Sequence, residues 1–316
     1  MRKFPALIVA LGLIASLSAC ASETSVAGCS GAIASGDASS IVTATGKPGS
    51  APKIDFPTPL VARTTQRSVV IEGKGDALQL GQPVILDYTI LNGTTQKVLQ
   101  KSTYSPAKGT QLTVDDSVVG RGLRCAQVGS RVVVVASAKD SHGGQEDPSS
   151  GLGKNDSIVY VLDVKRAFPA RADGAPQVPQ NGLPAVVLAP NGAPGLTIPA
   201  TTPPKSLQVD VLKAGSGKKL GDGDFAVLKY TGVFWADSKV FDSTWVGDKK
   251  GQSAVLEIAD GKVISGFVKG LVGQRVGSQV LLVVPPSEGY GPNGSQDQTV
   301  PPNSTLVYVV DILGIV

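Results

Sequence analysis

The sequence predicts an α+β fold built twice over, each copy an antiparallel β-sheet curled around one short helix, and three observations carry that reading. First, β-branched or apolar runs at Ala226 to Tyr230, Ala254 to Ile258, Gln279 to Val284 and Thr305 to Leu313 are bounded by Gly, Asp, Asn and Pro, as strands between turns are. Second, one segment has helical spacing. Ser265 can cap it, Phe267 and Leu271 stand four apart with Val268 and Val272 beside them, and Gly273 suits the end. Third, the pattern recurs upstream. Arg131 to Val135, preceded by Val128-Gly129-Ser130, matches Gln279 to Val283, preceded by Val276-Gly277-Ser278, at an offset of 148 residues, and Ile158 to Val164 matches Leu306 to Ile312 at the same offset. Leu86 to Thr89 against Leu228 to Thr231 gives 142, so the copies differ by six residues between these anchors. A tandem duplication follows, with copies at 41–167 and 205–316.

The N-terminus has the pattern of an export signal over residues 1–19. Arg2 and Lys3 precede an apolar run from Leu7 to Leu17, and Leu17-Ser18-Ala19-Cys20 closes it with small residues. The run is shorter than the roughly 20 residues that span a bilayer. The closing tetrapeptide resembles the bacterial lipobox, which implies that Cys20 becomes the lipidated first residue of an extracytoplasmic, cell-membrane-anchored protein. Each buried CH₂ of such acyl chains contributes about 0.8 kcal/mol. If Cys20 is lipidated, Cys29 and Cys125 remain as an even pair in an oxidising compartment, and a disulfide between them is expected, two unrelated buried thiols being the alternative. Residues 20–40, rich in Ser, Ala and Gly, read as a flexible tether. Residues 168–204 carry nine prolines from Pro169 to Pro204 and read as an extended linker between domains that move independently.

Composition removes several kinds of chemistry. The loss of Arg2 and Lys3 with the signal takes two positive charges from a formal +4, and no Lys/Arg cluster interleaved with aromatics suggests nucleic acid. His142, the one histidine, lies in a Gly-rich stretch without the ligand spacing of a zinc site, so it reads as a solvated loop residue and no metal is expected. A Ser-His-Asp triad in the second copy has no histidine to draw on. No phosphate-binding glycine motif occurs, and no cofactor is expected. Asp222-Gly223-Asp224 lacks the further ligands of a calcium loop and reads as a turn.

What the second copy does have is a series of aromatics and turns: Tyr230-Thr231-Gly232, Val240-Phe241-Asp242-Ser243-Thr244, Val263-Ile264-Ser265-Gly266-Phe267, Gly289-Tyr290-Gly291, and Val300 to Tyr308. In this order the series resembles the FKBP family of peptidyl-prolyl cis-trans isomerases, over essentially all of Lys205 to Val316. The resemblance implies two tandem FKBP-like domains and a pocket made of Tyr230, Phe241, Asp242, Val263, Ile264, Phe267, Tyr290 and Tyr308. It implies Phe267 as the floor, where many relatives have tryptophan, and Tyr230, Phe241 and Tyr308 as walls for a proline ring. The Ile264 amide and the Tyr290 hydroxyl would hold substrate carbonyls, with Asp242 beside the twisting bond. Two positions depart from the family pattern: Ala254, where a large aromatic is frequent, and Gln296, in a loop where some relatives have histidine.

Such a pocket suits the chemistry. Rotation about an X-Pro bond breaks amide resonance against a barrier near 20 kcal/mol, and the twisted amide carries less charge separation than the planar one. An apolar site with a few fixed donors favours it without nucleophile or cofactor. The expected function is therefore isomerisation of prolyl bonds in exported polypeptides, with macrolides as inhibitors; a non-catalytic chaperone or docking module that holds client peptides is the alternative. The first copy has Leu99-Gln100 opposite Phe241-Asp242, about Val119 opposite Phe267, and no tyrosine from Lys139 to Asn155. It retains Tyr88 and Tyr160 and is expected to keep the fold while lacking the activity.

Overall fold

A computed structural model of the protein describes residues 29–105 and 109–316; the signal segment and Cys20 lie outside these. The first sheet is made of β1 (Gln66–Ile71), β2 (Pro83–Asn92), β3 (Val98–Lys101), β4 (Thr110–Thr113), β5 (Arg131–Ala136) and β6 (Ile158–Ala167). The second is made of β7 (Gln208–Ala214), β8 (Phe225–Phe234), β9 (Val240–Ser243), β10 (Ala254–Glu257), β11 (Gln279–Val284) and β12 (Leu306–Ile315). Both sheets are antiparallel and follow the same path: β1-β5-β6-β2-β3 with β4 on β2, and β7-β11-β12-β8-β9 with β10 on β8. Their irregularities coincide as well. Register shifts at Val69/Ile71, Ile85/Leu86 and Ile90/Leu91 reappear at Val211/Lys213, Val227/Leu228 and Gly232/Val233. A bulge re-aims the residues after it, so shared bulges place equivalent side chains on equivalent faces.

Helix is scarcer than the α+β expectation. The helices packed in equivalent places on the two sheets, α1 (Val118–Leu123) and α2 (Ser265–Leu271), are only six and seven residues long, so the architecture is mostly β. Glycine limits them: Gly122 and Gly270 bring each helix down onto Val134 and Leu282 of the sheet, and the residue after the last turn is left-handed in both, at φ +62° for Cys125 and +90° for Gly273. Ser265 is the first helical residue and does not cap; its hydroxyl bonds the Glu288 carboxylate at 2.6 Å instead. Gly223 turns at φ +78° and Asp224 accepts the Gly221 amide, so the Asp222 to Asp224 segment is a turn.

Each sheet is buried on both faces, which is why, after Arg131 and Gln279, β5 and β11 run as unbroken apolar stretches with no polar alternation. In the second sheet, Leu228, Tyr230, Leu282, Val284, Tyr308 and Val310 face inward against Phe267 and Leu271 of α2. On the outer face Val233, Trp235, Leu281, Val283, Val307 and Val309 are covered by Leu183, Val186, Leu196 and Ile198. These four belong to residues 168–204, so this stretch is not a free linker. It lays a hairpin (Ala185–Leu188 with Pro194–Thr197) across the sheet and adds Ala175–Pro176 to the edge of β7. Proline composition favours extended backbone, but alternating aliphatics between prolines still give that backbone a face to bury.

The N-terminal segment does the same for the first sheet. From Cys29 onward the expected tether is packed: Cys29 and Cys125 are joined by a disulfide, Ile33 lies against the inner cluster, and Val42, Ala44, Phe56, Leu60 and Ala62 cover the outer face. Arg131, fully buried, pins this cover. It pairs with Asp163 at 2.6 Å and donates to the carbonyls of Ala44, Gly46, Lys47 and Ser50. Removing one partner of a pair this buried typically costs about 3–5 kcal/mol.

The two sheets are in contact, contrary to the expectation of independent movement. Phe168 packs with Ile85 of the first and Val227, Val255 and Leu313 of the second. Arg166 donates to the Ile315 carbonyl at 2.7 Å, Lys229 to the Gly81 carbonyl at 2.9 Å, and Gln111 to the Ser253 hydroxyl at 2.7 Å. Burial at this contact pulls the Lys229 ammonium down to about 8, against the opposing pull of the Asp311 carboxylate. His142 is not simply solvated: its ring nitrogens lie 2.6 and 2.8 Å from the carbonyl oxygens of Gln145 and Asp156. Among the described residues no helix is long and apolar enough to cross a membrane, and no cluster of His, Cys, Asp and Glu has metal-holding geometry.

Candidate functional site

The inner face of the second sheet opens at one end into a cavity of about 530 Å³. Phe241, Asp242, Tyr290 and Tyr308 line it, with Val240, Val246, Val300 and the polar groups of Asp248, Lys249, Ser295, Asp297 and Thr299 around them. Strand pairing puts the rings together. Tyr308 on β12 is opposite Gly232 on β8, and Gly232 is in turn opposite Asp242 on β9. Because side chains two apart on a strand share a face, Tyr230, Gly232 and Tyr308 all look inward. The ring centroids of Phe241 and Tyr308 are 5.5 Å apart, those of Phe267 and Tyr308 are 4.8 Å apart, and both pairs meet edge to face. Tyr230 adds edge contacts to Phe267 and Tyr308 at 6.5 and 6.4 Å. Edge-to-face packing is the favoured aromatic arrangement and makes a rigid wall.

Gly232 makes this cluster possible. A Cβ at that position would stand 2.7 Å from Phe241 Cζ and 2.8 Å from Tyr308 Cε1. At the equivalent register of the first sheet Ile90 faces Gln100 and Tyr160, so a branched side chain occupies the space where the second sheet brings Phe241 and Tyr308 together.

Asp242 is held from two sides. The Tyr230 hydroxyl donates to Oδ2 at 2.7 Å, and the Lys249 ammonium lies 2.8 Å from Oδ1. The phenols are strong candidates for neutral donors. Burial raises Tyr308 well above its ordinary value, reinforced by Tyr290 and Tyr230; burial also raises Tyr230, with Asp242 adding to it; and burial followed by the Asp297 charge raises Tyr290. Tyr290, 39% exposed, stands at the rim. Its loop is tied to the start of α2 by Glu288, which accepts from Ser265 and from Lys269 at 2.7 Å.

Of the eight residues expected at the site, Phe241, Asp242, Tyr290 and Tyr308 face the cavity directly. Tyr230 and Phe267 stand behind them, buried and in ring contact. Val263 and Ile264 are half-buried against the inner cluster and do not line the cavity; the Ile264 amide makes no hydrogen bond among the described residues. Ala254 also packs on that cluster. Sequence reasoning gave Gly232, quoted only as part of the Tyr230-Thr231-Gly232 motif, no role of its own, and did not single out Lys249 or the Val246 to Lys249 wall. A glycine inside a strand, between Tyr230 and Val233, was the available signal for the first.

Comparison with known protein families falls on this region. Residues 216–313 match the family model described as FKBP-type peptidyl-prolyl cis-trans isomerase. The FK506-binding protein 2 of Yarrowia lipolytica is 34% identical over 113 residues, which are 34% of this chain and 75% of that protein. The chain belongs to the FKBP family. The FK506-binding protein of Streptomyces anulatus is 28% identical over 122 residues, covering 39% of this chain and 96% of the relative. Among solved structures, FkpA from Escherichia coli is 31% identical over 43% of this chain and 52% of its own, with a TM-score of 0.32. The FKBP match lies on the second sheet and its loops, so it is an FKBP-type peptidyl-prolyl isomerase domain that contains the cavity.

Gly232→Ile in the full chain is expected to lower kcat/KM toward prolyl peptides by at least about a hundredfold, because the side chain displaces Phe241 and Tyr308, at an overpacking cost of about 1–3 kcal/mol. Exchange kinetics together with a denaturation midpoint check both halves of that expectation. A folded variant with undiminished activity would show that the ring cluster is not needed.

Proposed function

We propose that the protein accelerates cis-trans rotation of X-Pro bonds in exported polypeptides, outside the cytoplasm, using the cavity of the second sheet while the first sheet is a non-catalytic copy of the same fold. The observation that carries the reading is the meeting of Phe241, Asp242, Tyr290 and Tyr308 around one cavity. A proline ring placed against Phe241 and Tyr308 leaves water, and its amide loses part of the solvation that favours the planar, charge-separated form. The Tyr290 hydroxyl at the rim is placed to hold a carbonyl of the bound chain, and Asp242, kept in place by Tyr230 and Lys249, faces the rotating bond. Donors fixed before binding stabilise the twisted geometry without reorganising during the reaction. FK506, the macrolide after which the relatives are named, fits the same reading as a competitor for the ring-lined cavity.

The first sheet supports its non-catalytic assignment residue by residue. Gln100 replaces Asp242, Leu99 replaces Phe241, and Ile90 fills the position of Gly232 at identical strand register. The extracytoplasmic setting rests on the Leu17 to Cys20 sequence and on the Cys29–Cys125 disulfide, a bond that persists in oxidising compartments. Mass spectrometry of the protein purified from its own membranes should find an N-terminal acylated Cys20; an unmodified residue there, or retention of Met1, would end the lipid-anchor reading.

Exchange between cis and trans forms of a prolyl peptide, followed by NMR, tests the activity. The wild-type chain is expected to accelerate it, Tyr290→Phe to lower kcat/KM by about tenfold to a hundredfold through the lost donor, and Phe241→Ala by at least as much. Peptide binding without acceleration by the wild type would favour the holding function over the enzyme.

A further inference from the structure

One wall of the cavity, Val246 to Lys249, belongs to a loop that the second sheet holds at its start, where Thr244 and Tyr230 exchange hydrogen bonds, and through the Lys249 pair with Asp242. Residues 246–250 are exposed, and the loop's own hydrogen bonds are short turns: Lys250 to Gly247, Gln252 to Lys249, and Gly251 back to Thr244. Its apolar anchor is Trp245, 7% exposed. That ring is not part of the cavity lining and lies over the Lys229 ammonium at 4.7 Å. Gly192 of the 168–204 segment comes close enough that a Cβ there would be 3.2 Å from Trp245 Cη2.

One link from this anchor reaches the other half of the chain. The Lys229 ammonium, while under Trp245, donates to the Gly81 carbonyl in the turn before β2. At the far end of the same loop Ser253 is gripped by Gln111 of β4, which donates to its hydroxyl at 2.7 Å and its carbonyl at 3.3 Å. The far end of the wall is therefore tied directly to the first sheet, and its near end, through Lys229, to the turn that precedes β2. Lys249, midway along it, reaches Asp242.

We propose that the first half of the protein is a brace for the isomerase site: through Gln111, and through Gly81 acting on Lys229 and Trp245, it holds the 244–253 wall in the conformation that receives a prolyl chain. Gln111, Lys229 and Trp245 are positioning residues, since none of them lines the cavity. The benefit is to affinity. A wall ordered before binding spares the bound peptide the cost of ordering it, whereas a wall with loose ends charges that cost to every encounter. A copy that has lost its own pocket still has a use if its strands and turns hold its neighbour's loop. The proposal rests on the reading of the cavity as a prolyl-peptide site.

The test uses the full-length chain and one prolyl peptide, with Kd from titration and exchange rates from NMR. Gln111→Ala combined with Lys229→Met is expected to raise Kd about tenfold while the exchange rate of the saturated enzyme stays within about twofold, the pattern of lost positioning for binding and not of lost chemistry. In a Lys249→Ala background the same pair of changes should have a clearly smaller effect, because the group they position is gone. An unchanged Kd in a folded double variant, or an equal loss in both backgrounds, overturns the brace. If Lys229→Met does not fold, Gln111→Ala alone decides, with an expected rise of about threefold in Kd and no change overturning the proposal. A wild-type chain that binds the peptide without accelerating exchange would refute the isomerase reading, while the Kd comparison would still judge the brace.

Discussion

Where β8 crosses between β9 and β12, the rings of Phe241 and Tyr308 fill the volume that a side chain at position 232 would take, and the geometry of the cavity depends on that vacancy. With Gly232 in place the two rings meet edge to face, Phe267 seats against Tyr308 from the helix, and Tyr230 closes the cluster while its hydroxyl steadies Asp242. A glycine within a strand weakens it by roughly 0.5–1 kcal/mol relative to alanine, a cost the double-sided burial of this sheet can bear. The result is a socket with stiff apolar walls and protonated phenols, the environment that the proposed prolyl isomerisation calls for.

The two halves of the chain show what that constraint is worth. They share strand order and the positions of three bulges, so the backbone delivers side chains to equivalent places. What differs is chemistry at a few of those places: Ile90 for Gly232, Leu99 for Phe241, Gln100 for Asp242. The fold survives these exchanges because they fall at the open end of the inner face, away from the Leu86, Val132, Val134 and Leu162 cluster that carries the first core. Fold and site are thus separable in this molecule. One half keeps both, and the other keeps the fold and contributes contacts.

Much of this was legible in the sequence because strands buried on both faces leave unbroken apolar runs such as Val280 to Val284, and because a repeat whose offset recurs survives divergence. The 142 and 148 offsets map onto paired strands of matching sheets. The aromatic positions were legible for a related reason, since Phe241, Phe267, Tyr290 and Tyr308 are large side chains in otherwise aliphatic surroundings. The proline-rich 168–204 segment was less legible: composition reports its extended backbone, while the burial of Leu183, Val186, Leu196 and Ile198 depends on a sheet face that local sequence does not reveal. The same holds for Ile33 and the residues around it. Ser265 misled as a cap because its partner, Glu288, is 23 residues away. Val263 and Ile264 fell beside the cavity and not in its lining, and the role of Gly232, visible only as the end of the Tyr230-Thr231-Gly232 motif, went unseen because its contribution is an absence.

The central claim is that a prolyl ring enters the space between Phe241 and Tyr308 of the second sheet. NMR of the full-length chain with a saturating prolyl peptide tests this directly through nuclear Overhauser contacts from the proline ring protons. The account predicts contacts to the aromatic protons of Phe241 and Tyr308 and none to Tyr88 or Tyr160 of the first sheet. Proline contacts confined to the first sheet, or to the outer faces, would contradict it.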